Sequence, residues 1–204
     1  YTNSTPNSRP SHESMTDIEV GYKLKYKKAY ANINIYSMDY TNQLILTGAI
    51  NDVGAAVRTN VASSYRRGIE ISGGISLLKN LEWKMNTTFS DNKIASFTEF
   101  IDDWDTWGQV ETNYENTDIA FSPSLIASNQ LIFKPVSSEK HGDIELALVT
   151  KYVGDQYIDN TSNTDRMLAA YLVNDIRMQY SVKTKLFKEI VWSAWVRNFT
   201  NTQY

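Results

Sequence analysis

The feature that most constrains this chain is a two-residue hydrophobic alternation, sustained over runs of roughly 10–13 residues where soluble strands usually last ~5–6. From Thr16 to Lys27, Ile18, Val20, Tyr22, Leu24 and Tyr26 alternate with Asp17, Glu19, Gly21, Lys23 and Lys25. After a Lys27–Lys28 turn, Ala29, Ala31, Ile33 and Ile35 share one face, and Tyr30, Asn32, Asn34 and Tyr36 the other. Ile69, Ile71, Gly73, Ile75 and Leu77 form the next such set, followed by Leu81, Trp83, Met85, Thr87 and Phe89. A fifth run, Leu125, Ala127, Leu131 and Phe133, is interrupted by Asn129 and carries Ile126 and Ile132 on its polar side. Ile144, Leu146, Leu148 and Tyr152 come next. Leu172, Ile176, Met178, Tyr180 and Val182 follow, and then Ile190, Trp192, Ala194 and Val196. Alternation with period two places each set on one side of a pleated strand. The reading is therefore all-β, about eight long antiparallel strands.

The connections sort by length. Short turns fall at Lys27–Lys28, Leu78–Asn80, Pro135–Gly142 and Lys183–Lys188; long ones run from about Tyr40 to Ser64, Lys93 to Ser122 and Gly154 to Arg166. A membrane barrel has this asymmetry, with short periplasmic turns and long external loops, and its strands need ~9–11 residues to cross at a tilt. A soluble β-sandwich shows the same alternation but has no reason to sort its loops, so it is the rival architecture. Charge divides along the same axis. Lys27, Lys28, Lys79, Lys140, Lys183, Lys185 and Lys188 lie in the short turns, while Phe97 to Phe121 holds Glu99, Asp102, Asp103, Asp105, Glu111, Glu115 and Asp118 without a base. The segments around 41–64, 96–122 and 155–167 are thus expected together outside the membrane, with the lysine turns opposite.

If the apolar alternates meet lipid, the lipid-facing set is Ile18, Val20, Tyr22, Leu24, Ile33, Ile35, Ile69, Ile71, Trp83, Met85, Leu146, Leu148, Ile176, Met178, Trp192 and Ala194. No apolar run is long enough for a transmembrane helix, which leaves a barrel open because only alternate residues of its strands meet lipid. The net charge of −3 leaves no electrostatic footprint for nucleic acid. Cysteine is absent, which excludes thiol catalysis and thiolate-bound metals. His12 and His141 are expected at opposite ends of the barrel, so no histidine pair serves catalysis or a metal, and an enzyme is not expected. The acidic run Asp102-Asp103-Trp104-Asp105 lacks the glycine and terminal glutamate of a calcium loop and reads as solvated. The Asn-, Asp- and Thr-rich connections read as solvated and mobile. Trp104 and Trp107 at a loop tip, and Arg58 near the start of the third strand, are the candidate substrate contacts, because binding energy concentrates in Trp, Tyr and Arg. Arg177 and Arg197 are expected inside, Arg177 pairing with Asp175 or Glu145.

Two segments carry a resemblance. Tyr36–Ile71, YSMDYTNQLILTGAINDVGAAVRTNVASSYRRGIEI, is similar to a barrel segment of TonB-dependent receptors from Bacteroidetes-type bacteria. The ending Val196-Arg-Asn-Phe-Thr-Asn-Thr-Gln-Tyr204 resembles the Asn-Leu-Phe-Asn-x-x-Tyr signature near the family's penultimate strand, departing from it at Phe199-Thr200. The resemblance implies that residues 1–204 form part of one barrel domain of about 22 strands, with the plug domain and final strand outside it. It further implies an outer-membrane receptor importing a scarce substrate such as a metal–siderophore, cofactor, glycan or peptide. The implied partners are the TonB complex, reached through the plug, membrane lipid and a surface lipoprotein; no bound cofactor is implied. A structural or secretion-associated barrel without transport is the other reading within the membrane.

Overall fold

The computed structural model describes residues 10–50, 56–138 and 141–204. Lys140 and residues 51–55 lie outside them.

The strands are β1 (Ser14–Tyr26), β2 (Ala29–Ile50), β3 (Ala56–Leu78), β4 (Leu81–Asp103), β5 (Gly108–Asp118), β6 (Leu125–Ser138), β7 (Gly142–Val153), β10 (Tyr171–Val182) and β11 (Ile190–Val196). Between β7 and β10 sit a two-residue pair, β8 (Gln156–Tyr157) and β9 (Met167–Leu168), and a 3-10 turn over Thr164–Arg166. One antiparallel sheet runs β1-β2-β3-β4-β6-β7-β10-β11, with β5 also on β4. Among the described residues no second sheet packs across its faces, so the sandwich architecture is not the one observed.

The register turns the sequence alternation into a single surface. Tyr22 pairs with Ile33 and Ile33 with Ile71; Val20 pairs with Ile35 and Ile35 with Ile69. Ile75 faces Trp83, Trp83 faces Leu131, Leu131 faces Leu148, Leu148 faces Ile176 and Ile176 faces Val196. Directly paired residues point to the same side of a sheet. All the residues expected to meet lipid therefore share one face. It stays open: Ile18 is 63% and Val20 68% accessible.

The opposite face is polar. Asn32 donates to Ser72, Asn34 donates to Glu19, and Arg177 pairs with Glu145, which Lys134 approaches at 3.7 Å. Of the expected partners for Arg177, the structure selects Glu145; Asp175 instead accepts the Asn198 backbone N–H at 2.7 Å. Ile132 and Ala147, paired across β6 and β7, are buried on this side. Two tyrosines here lie over glycines on the paired strand. A Cβ at Gly74 would stand 2.6 Å from the Tyr30 ring, and one at Gly68 would collide with the Phe89 carbonyl and stand 2.6 Å from the Tyr36 hydroxyl. Close approach of a ring and a neighbouring backbone is why these strand positions hold glycine.

The expected connections at 40–64 and 93–122 are corrected by the structure. They are largely strand: β2 continues to Ile50, β3 begins at Ala56, and β4 runs 23 residues to Asp103 before returning as β5. The alternation lapses there. Pairing continues because each backbone N–H and C=O still needs a partner and Leu44, Ile45, Thr59 and Val61 favour extended backbone. Strand β4 is consequently shared: Leu81–Phe89 pairs with β6 and Lys93–Asp103 with β5.

The chain end closes as a compact turn. The Asn198 carboxamide accepts from the Thr202 N–H and donates to the Thr202 carbonyl, each at 2.9 Å, while Tyr204 stacks on Tyr171 with ring centres 4.5 Å apart. Asn198 and Asn201 adopt positive φ, which asparagine tolerates better than most residues.

Candidate functional site

At the end of the sheet away from the lysine turns, the long hairpins and the 154–170 connection converge. A small apolar core forms there from Ile45, Val61, Ile94, Phe97 and Ile119, with Tyr114 packed against it and its ring stacked on Phe97. This core joins β2, β3, β4, β5 and the segment leading to β6. It gives the long hairpins packing of their own, independent of the open apolar face.

The 154–170 connection is tied onto this core by polar contacts. Asn160, only 3% accessible, donates to the Leu46 carbonyl at 2.8 Å and accepts from the Ala120 N–H at 2.8 Å, clasping β2 and the β5–β6 segment at once. Arg166 Nη1 reaches Glu99 Oε1 at 2.7 Å and Asp159 Oδ2 at 3.0 Å. Glu99 is buried and takes a second bond from the Tyr114 hydroxyl at 3.0 Å. Ser162 donates to Asp118 and accepts the Asp118 N–H, and Lys93 holds the same carboxylate at 2.8 Å. The expected solvated character of this connection is therefore corrected. Asn160 and Thr161 are buried, because short polar side chains at close spacing can satisfy distant backbone groups and each other together.

Hydrogen bonding governs the protonation of Asp159. Burial pushes the Asp159 carboxyl up, but hydrogen bonds from the Thr161 side chain and backbone and from Arg166 outweigh it and hold the group below its usual value. A carboxylate depressed in the folded state contributes stability above its unfolded value of ~3.9, lost as pH falls through the lower folded value. Protection of the 156–168 amides, with exchange scaled to the intrinsic rate at each pH, should therefore hold from pH 7 to pH 5 and fall only below about pH 4. Loosening already at pH 6 would contradict this arrangement.

Trp104 and Trp107 stand at the β4–β5 tip, 74% and 84% accessible, with ring centres 6.1 Å apart in an edge-to-face arrangement. The turn is held by Asp103, whose carboxylate accepts from the Asp105 N–H at 3.0 Å and the Thr106 hydroxyl at 2.7 Å. Those bonds, led by Thr106, lower its pKa and occupy both its oxygens. Trp107 closes the turn in the left-handed region, at φ +56°. Among the described residues no group of three His or acidic side chains is arranged to hold a metal ion.

Arg58 is exposed on the adjacent hairpin, paired with Leu46. The structure does not bring it to the indoles: among the described residues no hydrogen bond, ion pair or ring contact links them. Sequence reasoning missed Glu99, Asp159, Asn160 and Arg166. The only signal was the density of Asp, Asn, Ser and Thr from 159 to 165, which equally describes a solvated loop.

The family model for the TonB-dependent receptor-like β-barrel matches residues 5–199. No curated protein matches the chain. Among solved structures, the ferric preacinetobactin receptor of Acinetobacter baumannii aligns with a TM-score of 0.65 at 16% identity, over 92% of this chain and 25% of that one. Copper transporter OprC aligns at 0.67 and 16% identity, over 96% and 26%. The ferric yersiniabactin uptake receptor of Yersinia pestis aligns at 0.63 and 13% identity, over 93% and 25%. The chain thus spans about a quarter of the length of these structures.

Proposed function

The chain belongs to the TonB-dependent receptor family of outer-membrane β-barrels, and from that premise we propose that it forms part of the wall and external loops of an importer. The observation that carries this reading is the family match over residues 5–199. On it, residues 1–204 belong to one barrel domain, and substrate binds at the external hairpins before the TonB complex drives uptake through a plug. The neighbouring structures are named for ferric siderophores and copper. A metal–siderophore complex is accordingly the first substrate class to test, ahead of a cofactor, glycan or peptide. A surface lipoprotein could dock on the same hairpins.

The open apolar face is the lipid-facing wall in this reading. What supports it is the register that gathers Ile18, Ile33, Ile71, Leu148, Met178 and Trp192 on one side while the charged pairs lie on the other. A barrel wall turns its apolar alternates outward.

Substrate contact is assigned to Trp104 and Trp107, with Arg58 as a separate contact on the next hairpin. The turn that carries both indoles is itself hydrogen-bonded, so binding need not order its backbone. Trp104→Ala or Trp107→Ala should weaken binding of the transported complex by ~1–3 kcal/mol, about 5- to 150-fold in Kd. Titration of the purified, folded receptor measures this. Unchanged affinity in both variants would remove this tip from the binding site.

A further inference from the structure

One row of the apolar face is not apolar. Met85 on β4 pairs with Asn129 on β6, Asn129 with Thr150 on β7, and Thr150 with Asn174 on β10. The row below is hydrophobic, Trp83, Leu131, Leu148 and Ile176, and the row above is so from Ala127 through Tyr152 to Leu172, with Thr87 at its β4 end. Three polar side chains on consecutive strands therefore interrupt the belt. Asn129 and Thr150 line a shallow depression of about 330 Å³, walled by Trp83, Met85, Tyr152 and Leu172 and reaching Thr87, and Asn174 stands beside it. Thr150 donates to the Asn174 carboxamide oxygen at 2.8 Å. The Asn129 carboxamide makes no hydrogen bond among the described residues. Exposed to hydrocarbon, an unpaired amide is costly, so the groove needs a polar occupant.

We propose that this groove is a binding site for a membrane lipid whose acyl chains carry hydroxyl or amide groups near the headgroup. The inference rests on the reading of this face as lipid-facing. Depth, charge and size choose the occupant. On β7 the outward series Ile144, Leu146, Leu148, Thr150, Tyr152 puts Thr150 second from the external end, and on β10 Asn174 is likewise second, after Leu172. At ~3.3 Å per residue, Thr150 lies ~7 Å along its strand from Tyr152, at the level where acyl chains join their headgroup. The outward side chains around the notch are all uncharged, so recognition there falls to polar groups of the chains and not to a headgroup phosphate. A carboxamide both donates and accepts, and an ester carbonyl can only accept; a hydroxyl or an amide satisfies both needs. The depression takes a chain and one polar group, and is far smaller than the area a protein partner must cover.

The test uses the full-length receptor, delipidated in detergent and offered either lipid A, whose chains carry hydroxyl and amide groups, or dioleoylphosphatidylethanolamine. Native mass spectrometry should show lipid A retained in preference. Asn129→Leu and Thr150→Val should each lower that retention about tenfold, the value of one good hydrogen bond, without changing phospholipid retention. Heat-modifiable gel mobility checks that each variant is a folded barrel. Equal retention of lipid A by both folded variants overturns the proposal, as does a dimer appearing in place of bound lipid. A spin label at Ile71→Cys separates the premise from the site. If lipid-soluble oxygen cannot reach it, the lipid-facing reading fails and the groove with it. If oxygen reaches it and the variants still retain lipid A, only the groove is refuted.

Discussion

Arginine at Ile71 or at Leu148 should destabilise the folded barrel by about 2–4 kcal/mol, the cost of a guanidinium near the bilayer midplane. Ile71 is flanked on its own face by Ile33 and Thr87, and Leu148 by Leu131 and Ile176, so neither position offers an acid to pair with the charge. The control is one residue away. Glu70 and Ser72 point to the polar side, and Ser72→Arg should cost well under half as much, because the side chain enters water. Urea titration of the receptor in lipid vesicles measures the difference. Equal costs at 71 and 72 would mean that the apolar face does not meet hydrocarbon.

Arg166→Leu should release the 154–170 connection, costing roughly 2–3 kcal/mol of its docking. Removing one partner of a buried ion pair costs ~3–5 kcal/mol because the other charge is stranded. Glu99 is that stranded charge, with a side chain 10% accessible, but Arg166 is 39% accessible and water screens part of the loss. Exchange over 156–168 should speed up by about 30- to 150-fold while the strand amides of β6 and β7 stay protected. Glu99→Gln with Arg166→Leu should recover part of the loss, since the neutral amide tolerates burial and still accepts from the Tyr114 hydroxyl. Exchange unaltered by Arg166→Leu would leave Asn160 and Ser162 as the clasps that matter. If the connection helps shape the external surface, substrate affinity falls in the same variants.

The membrane-facing alternation was legible because it is local. Period two in Ile18, Val20 and Tyr22, or in Ile144, Leu146 and Leu148, needs no knowledge of distant residues, because the pleat alone puts alternate side chains on one face. Three of the short turns were legible for the same reason; the expected Pro135–Gly142 turn is shorter, because β6 continues to Ser138 and pairs with β7 up to Gly142. Arg58, Trp104 and Trp107 could be singled out by residue type and loop position, but their separation onto two hairpins could not, since it depends on how far β2, β3 and β4 continue.

The sequence by itself determined the sheet's two faces, its order of consecutive hairpins and the resemblance to the family, because each is written in residues close together along the chain. Only the tertiary structure decided that β4 serves two strands, one below and one above Asn92. It alone decided that Asn160 clasps Leu46 across 114 residues and that Arg166 reaches Glu99 across 67. It also decided that Asn129, Thr150 and Asn174, each a lone polar interruption of its own strand, fall into one row. The physical reason is common to all of these. A hydrophobic pattern records what surrounds a single strand, whereas register and hydrogen bonding between distant segments depend on which backbone and side-chain groups remain unpaired when the whole sheet has formed.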